Sequence, residues 1–200
     1  MFHMVAIAAL IVQVLPANAK IPGNLVVDPH ADAGGAGWTT SRGDAAIELI
    51  DGNAVFVIRN RGSFHQMVPL PPVSPGSYVV LLARASGERI NRDGSITGLP
   101  YLYGIIAGPD RGRFIGYLQG QSLKSEAKRP NEWTTLSGVF PLPEGATAIS
   151  LSLHLAERKD DPQNGSAGRF DDVALVVLTS EKDARELVAD YTASHSPRGE

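Results

Sequence analysis

The stretch TAISLSLHL at residues 147–155 alternates apolar and polar side chains. One side of the extended chain carries leucine and isoleucine, and the other carries serine and His154, because successive side chains of a strand point to opposite faces. The apolar positions are Ile149, Leu151, Leu153 and Leu155. This period of two predicts an antiparallel strand with one buried face and one polar face.

The same period continues on both sides of this stretch. It predicts strands at residues 25–28, 45–51, 54–59, 64–68, 79–83, 101–106, 113–119, 133–140 and 170–178. Proline- and glycine-containing turns separate them, such as PLPP at residues 69–72 and PEG at residues 143–145. The strands at 79–83 and 170–178 are almost continuously apolar, which predicts central strands covered on both faces. About ten short strands with such turns predict an all-β, jelly-roll β-sandwich.

Composition excludes several classes of protein. With 43% hydrophobic and 20% charged residues, the 200-residue chain can build a core and is not a disordered polypeptide. The formal net charge of −3 gives no electrostatic footprint for nucleic acid. The absence of cysteine excludes disulfides, thiolate nucleophiles and cysteine-ligated zinc.

The two ends of the chain differ from this strand pattern. Residues 4–15 are apolar, too short for a membrane span, and are followed by Pro16 and the small-residue motif ANA at residues 17–19. This predicts a signal peptide at residues 1–19, a secreted or periplasmic protein, and no membrane span after cleavage; a buried N-terminal strand or helix is the alternative.

Residues 20–179 then form the sandwich domain, and residues 180–200 a C-terminal helix and tail. Ser180 and Asp183 have the spacing of a helix cap, and apolar residues follow at helical intervals.

Motifs along the strands resemble a known family. Four groups occur in order: NLVVDPHAD at 24–32 with GW at 37–38, FHQMV at 64–68 with PGSY at 75–78, WTTLSGVF at 133–140 with PEGA at 143–146, and FDDVAL at 170–175. Together they resemble the CenC-type carbohydrate-binding modules, which are galactose-binding-like jelly-roll domains. The resemblance implies a sandwich whose first and last strands lie together, and a polysaccharide or oligosaccharide ligand.

The resemblance also implies a structural calcium ion. Carried over by position, its ligands are the backbone carbonyl of His30 and the carboxylates of Asp32 and Asp172, with a further carbonyl from residues 51–54. Mixed carboxylate and carbonyl oxygens suit calcium. The alternative is that Asp172 accepts hydrogen bonds from loop amides.

Candidate sugar-binding residues lie on predicted strands that carry tyrosine. Aromatic rings pack on the apolar faces of sugars, while amides and guanidinium groups bind their hydroxyls. The candidates are Tyr101, Tyr103, Arg113, Tyr117, Gln119 and His154. The alternative is that the tyrosines are ordinary core residues whose hydroxyls reach the surface. Trp38 and Trp133 are assigned to the core.

Three functions remain open. The first is a secreted, non-catalytic carbohydrate-binding protein. The second is a structural or adhesion module that binds a protein partner through the C-terminal helix. The third is a polysaccharide hydrolase or lyase on the same fold, although the sequence has no Gly-x-Ser-x-Gly motif and no metal-binding histidine pair.

Overall fold

The computed structural model describes residues 21–41, 44–59, 62–90, 96–97, 99–109, 113–118, 123–124, 129–156 and 167–195. The predicted signal peptide therefore lies outside the described residues. The strands are β1 (Thr39–Thr40), β2 (Asp44–Ile50), β3 (Asn53–Arg59), β4 (Ser63–Pro69), β5 (Tyr78–Gly87), β6 (Arg89–Ile90), β7 (Ile96–Thr97), β8 (Leu99–Ala107), β9 (Phe114–Tyr117), β10 (Leu123–Lys124), β11 (Thr134–Pro141), β12 (Ala148–Ala156) and β13 (Gly168–Leu178), and the helix is α1 (Glu181–His195).

Two antiparallel sheets form the predicted sandwich. The six-stranded sheet has the order β1-β4-β12-β8-β10, and β9 also pairs with β8. The five-stranded sheet has the order β11-β5-β13-β3-β2, and β6 and β7 form a separate small ribbon. The jelly-roll prediction is confirmed. The strands β1, β6, β7 and β10 were not predicted, because a strand of two residues is too short to show a periodic pattern.

The core lies between the two sheets and is organised around an aromatic group. The Phe56 ring is fully buried and lies 5.0 Å from the ring of Trp38 and 5.1 Å from that of Phe64. Trp38 is thus in the core as predicted. Trp133 instead is partly buried beside Val55, Val57 and Ala167, with the Arg84 guanidinium 5.0 Å from its ring.

The opening segment comprises residues 21–38. Its residues 25–28, which were predicted as a strand, do not form one, because Asp28 has a left-handed backbone with φ of 49°. It nevertheless runs beside β13. The Leu25 amide donates to the Leu175 carbonyl at 2.9 Å, and the Val173 amide donates to the Pro29 carbonyl at 3.0 Å. The first and last parts of the sandwich therefore lie together, as the resemblance implied.

The predicted C-terminal helix is confirmed and packs on the sandwich. Its N-terminus is capped by Ser180, whose Oγ accepts a hydrogen bond from the Asp183 amide at 3.3 Å. Ala184 and Tyr191 of the helix are buried against the outer face of the five-stranded sheet, whose residues there are Val80, Leu82, Ala174 and Val176. Among the described residues, no helix is long and apolar enough to cross a membrane.

Candidate functional site

The outer face of the six-stranded sheet carries side chains in rows across the strands. One row is His65, Ser152 and Tyr103, and the next is Ser63, His154 and Tyr101. Neighbouring strands lie about 4.8 Å apart, and residues two apart along a strand about 6.6 Å apart, so these side chains lie close together. The sheet thus joins residues from three strands that are far apart in sequence.

Three rings form a continuous aromatic surface on these rows. The Tyr101 ring lies 6.0 Å from the Tyr103 ring and 5.3 Å from the His154 ring, and both pairs are stacked. The Tyr103 ring is 5.2 Å from that of His154. Tyr101, Tyr103 and His154 are half-buried, so each ring keeps an accessible portion. We call these three residues the ring cluster.

His65 extends the ring cluster and is held by serine hydroxyls. Its ring lies 5.3 Å from that of His154. Its Nε2 is 2.7 Å from the Ser63 hydroxyl and 2.8 Å from the Ser41 hydroxyl, and its Nδ1 is 2.8 Å from the Ser152 hydroxyl. Because both ring nitrogens have partners, the imidazole is fixed in one orientation. His65 is therefore a preformed part of this face.

Both histidines of this face are neutral near pH 7. Burial lowers the pKa of His65. Burial, and then the nearby His65, lower the pKa of His154 to about 4. Besides these histidines, the two rows consist of serine and tyrosine.

We expect this burial to appear in the pH dependence of stability. The pKa of His154 is about 4 in the folded protein, against an ordinary value of 6.5. Between these values the unfolded chain binds a proton that the folded chain does not, so stability present above the ordinary pKa is lost as pH falls. Urea unfolding between about pH 7 and about pH 4 should show a steeper loss in the wild type than in His154→Gln. Parallel curves for the two proteins would contradict the assignment.

The remaining predicted sugar-binding residues are less closely grouped. Tyr117 pairs with Ile105 of β8, and its ring lies 5.0 Å from that of Phe114. It therefore lies on the outer face one row beyond Tyr103, in a second aromatic pair with Phe114. Arg113 is exposed and immediately precedes β9. Gln119 lies outside the described residues.

A second cluster lies where the opening segment meets β13. The Nδ1 of His30 is 2.8 Å from the Asp172 Oδ1 and 3.5 Å from the Asp171 Oδ1. The ligand atoms of these three residues lie within 4.8 Å of one another. His30, Asp171 and Asp172 form a group that could hold a metal ion, and we call them the HDD cluster.

Charges around the HDD cluster shift its pKa values strongly. The carboxylates of Asp171 and then Asp172 raise the pKa of His30 to about 10. Burial alone raises the pKa of Asp172, but His195 and His30 outweigh it and lower the pKa to about 2. Asp172 is thus an ionised carboxylate although it is only 3% exposed.

The HDD cluster differs from the calcium ligands that the resemblance implied. His30 contributes its imidazole, and Asp171 rather than the exposed Asp32 accompanies Asp172. Asp32 lines a cavity of about 350 Å³ together with His30 and Asp172. Calcium takes six to eight oxygen ligands, so the imidazole nitrogen of the HDD cluster is not a ligand suited to calcium. The calcium site implied by the resemblance uses the backbone carbonyl of His30 instead, and it stays a prediction.

Comparison with known proteins identifies the fold. No protein-family model matches the sequence, and no curated protein matches it significantly. Among solved structures, a xylan-binding domain from carbohydrate-binding module family 22 matches with a TM-score of 0.51 over 80% of this chain and 99% of that chain, at 15% identity. The chain has the galactose-binding-like β-sandwich fold of the carbohydrate-binding modules.

Two longer proteins contain the same module fold. The tandem of two family 22 modules from Paenibacillus barcinonensis Xyn10C matches with a TM-score of 0.54 and 15% identity, over 80% of this chain and 51% of that chain. The enzymatically active domain of tailspike protein 4 of bacteriophage CBA120 matches with a TM-score of 0.55 and 14% identity, over 78% of this chain. This chain spans 22% of the tailspike structure. At these identities the likeness concerns the fold.

Sequence reasoning missed His65, Ser63 and Ser152 as members of the site. The alternation in residues 64–68 already places His65 on the polar side of its strand. Its approach to His154 depends on the pairing of β4 with β12, which no local pattern specifies. Asp171 was missed because a bulge between Asp171 and Ala174 changes the alternation of side chains in β13.

Proposed function

We propose that the protein binds an uncharged polysaccharide or oligosaccharide, without catalysis, on the outer face of the six-stranded sheet. The observation that carries the proposal is the ring cluster, in which three rings from two neighbouring strands lie 5.2–6.0 Å apart on a partly exposed face. Sugar rings present apolar C–H faces that pack on aromatic side chains. The tyrosine hydroxyls are available partners for sugar hydroxyls.

The electrostatics of the face favour an uncharged ligand. At the centre of the two rows, His65 and His154 are neutral at pH 7, so a carboxylate or sulfate held against them would lose water without gaining a charged partner there. The second row continues into β10, where Lys124 pairs with Tyr101 at the edge of the sheet. Arg113, at the start of β9, is exposed and outside these rows. The solved xylan-binding domain of the same fold agrees with this ligand class.

The geometry of the hydroxyl groups supports a role in binding rather than catalysis. Ser152 and Ser63, which contact His65, are 1% and 2% exposed, so neither hydroxyl can reach a bound substrate as a nucleophile. Glycoside hydrolysis ordinarily uses two carboxyl groups flanking the bond, and the described side chains of the two rows include none. A hydrolase or lyase remains the less favoured alternative. The enzymatically active tailspike domain contains the same fold within 22% of its length.

We also propose that residues 1–19 are removed as a signal peptide and that the protein works outside the cytoplasm. Polysaccharides of cell walls and matrices are accessible there, which is consistent with the proposed ligand. A protein partner that docks on the C-terminal helix is less favoured. The apolar side of that helix already packs on the five-stranded sheet through Ala184 and Tyr191.

Affinity electrophoresis through gels with neutral and with anionic polysaccharides tests the proposal. We expect retardation by at least one neutral polymer, such as xylan, a β-glucan or a galactan, and none by pectate or alginate. Tyr103→Ala should weaken binding about tenfold or more, which corresponds to about 1.4 kcal/mol. Leu49→Ala is the matched control, because Leu49 is 77% exposed on the other sheet.

Two results would contradict the proposal. One is a complete lack of retardation across the neutral panel by a correctly folded protein. The other is equal affinity of the wild type and Tyr103→Ala, with thermal unfolding curves showing that both are folded. Release of reducing sugars by the purified protein would instead establish the hydrolase alternative.

A further inference from the structure

We propose that the HDD cluster binds a divalent transition metal of the zinc class, and that this ion, rather than calcium, joins the opening segment to the closing strand. The cluster belongs to the five-stranded sheet and the opening segment, whereas the ring cluster lies on the six-stranded sheet. The proposal therefore does not depend on the sugar-binding function.

The spacing of the three ligand atoms suits such an ion. Zinc bonds to nitrogen and to carboxylate oxygen are about 2.0–2.2 Å long, so neighbouring ligand atoms of a tetrahedral site lie about 3.4 Å apart. The His30 Nδ1 is 3.5 Å from the Asp171 Oδ1 and 2.8 Å from the Asp172 Oδ1. Small side-chain adjustments would bring these atoms onto one ion.

Unpartnered buried atoms point to a missing ligand. Asp172 is 3% exposed, yet neither of its carboxylate oxygens makes a hydrogen bond of acceptable geometry. The buried Nδ1 of His30 also lacks one, although the oxygens lie close to it. His30, His195 and Arg84 lie 2.8–3.6 Å from the carboxylate and balance its charge. Because the pKa of His30 is raised to about 10, a metal ion at its Nδ1 would displace the proton held there. The ion would then bond directly to the buried atoms that lack hydrogen bonds.

Three further side chains contact Asp172 without being ligands in the proposed site. The second oxygen of Asp172 lies 3.3 Å from the His195 Nε2 and 3.6 Å from the Arg84 Nη1, while the Tyr191 hydroxyl donates to the Asp172 carbonyl at 3.2 Å. Such partners orient a ligating carboxylate. Two of them come from α1, so the ion would also stabilise the docked helix.

The chemistry of the donor set selects the class of metal. Imidazole suits zinc, nickel, copper and iron, whereas calcium and magnesium prefer oxygen ligands. Three protein ligands leave a fourth position open for water. The cavity of about 350 Å³ beside His30 and Asp172 leaves room for that water.

The test uses the full-length mature protein after treatment with EDTA. We expect zinc to raise the midpoint of thermal unfolding by several degrees, because a ligand that binds only the folded state stabilises it. Calcium at the same concentration should leave the midpoint unchanged. Cobalt(II) should produce visible absorption bands characteristic of nitrogen and oxygen ligation. Isothermal titration calorimetry should give one zinc per chain.

Variants separate this site from the calcium site implied by resemblance. His30→Gln should abolish the cobalt bands and the zinc-dependent shift, whereas Asp32→Asn and the exposed-turn control Glu144→Gln should retain both. The cobalt spectrum of the wild type keeps the test decisive where a cluster variant fails to fold. The proposal is overturned by a wild type without cobalt bands or zinc-dependent stabilisation. It is equally overturned by stabilisation with calcium that Asp32→Asn removes.

Discussion

A chain that ends at residue 179 is expected to lose roughly 3–5 kcal/mol of unfolding free energy, a large part of the 5–15 kcal/mol typical of a domain. The truncation removes Ala184 and Tyr191, which are buried on the five-stranded sheet, and the half-buried Leu187 and Val188. Their removal exposes the apolar outer face of that sheet to water. Urea unfolding, followed by circular dichroism, measures the change.

Single substitutions in the helix distinguish packing from chain length. Tyr191→Ala should cost about 3–5 kcal/mol as a large-to-small change at a buried aromatic residue. Tyr191→Phe should cost about 1 kcal/mol, since it removes only the hydrogen bond to the Asp172 carbonyl. Lys182→Ala is the control, because Lys182 is exposed on the same helix. Equal stability of the truncated and complete chains would show that the helix is independent of the sandwich and available to a partner.

Phe56→Ala is expected to reduce the unfolding free energy by about 3–5 kcal/mol. Phe56 is 0% exposed and touches the rings of Trp38 and Phe64, so its loss leaves a cavity between the two sheets. Trp38 also ties the opening segment to the core, because its Nε1 donates to the Val27 carbonyl at 2.9 Å. Thermal and urea unfolding should therefore both shift.

The matched control for Phe56→Ala is Leu49→Ala on the neighbouring strand. Leu49 belongs to β2 and is exposed, so its truncation should change the unfolding free energy by less than about 0.5 kcal/mol. A Phe56→Ala protein as stable as this control would mean that the aromatic group does not support the sandwich as described.

Period-two alternation made most of the fold predictable. The strands predicted at residues 147–155, 79–83 and 170–178 coincide with the long strands β12, β5 and β13, because each has one or two faces that must be buried. Residues 25–28 failed as a strand, since Asp28 adopts a left-handed conformation in which it accepts hydrogen bonds from the amides of Ala33 and Gly35. That conformation depends on a local turn rather than on hydrophobic pattern.

The candidate sites were predictable only in part. Tyr101, Tyr103 and His154 alternate along their own strands, and β12 pairs with β8 so that they form one surface. The approach of His65 to His154, and of His195 to Asp172, could not be predicted. These contacts join residues 89 and 23 positions apart, and nothing in a local pattern determines which strands and helices become neighbours.

The sequence alone determined that this chain forms two packed antiparallel layers with a C-terminal helix, because burial of apolar side chains at a period of two leaves few other architectures. Only the tertiary structure decided which polar residues meet. Strand order brought His65 to the ring cluster, and the bulge in β13, with the docked opening segment, brought His30 to Asp171 and Asp172. The physical reason is that burial of apolar surface is non-directional, whereas a binding site requires specific atoms at specific distances.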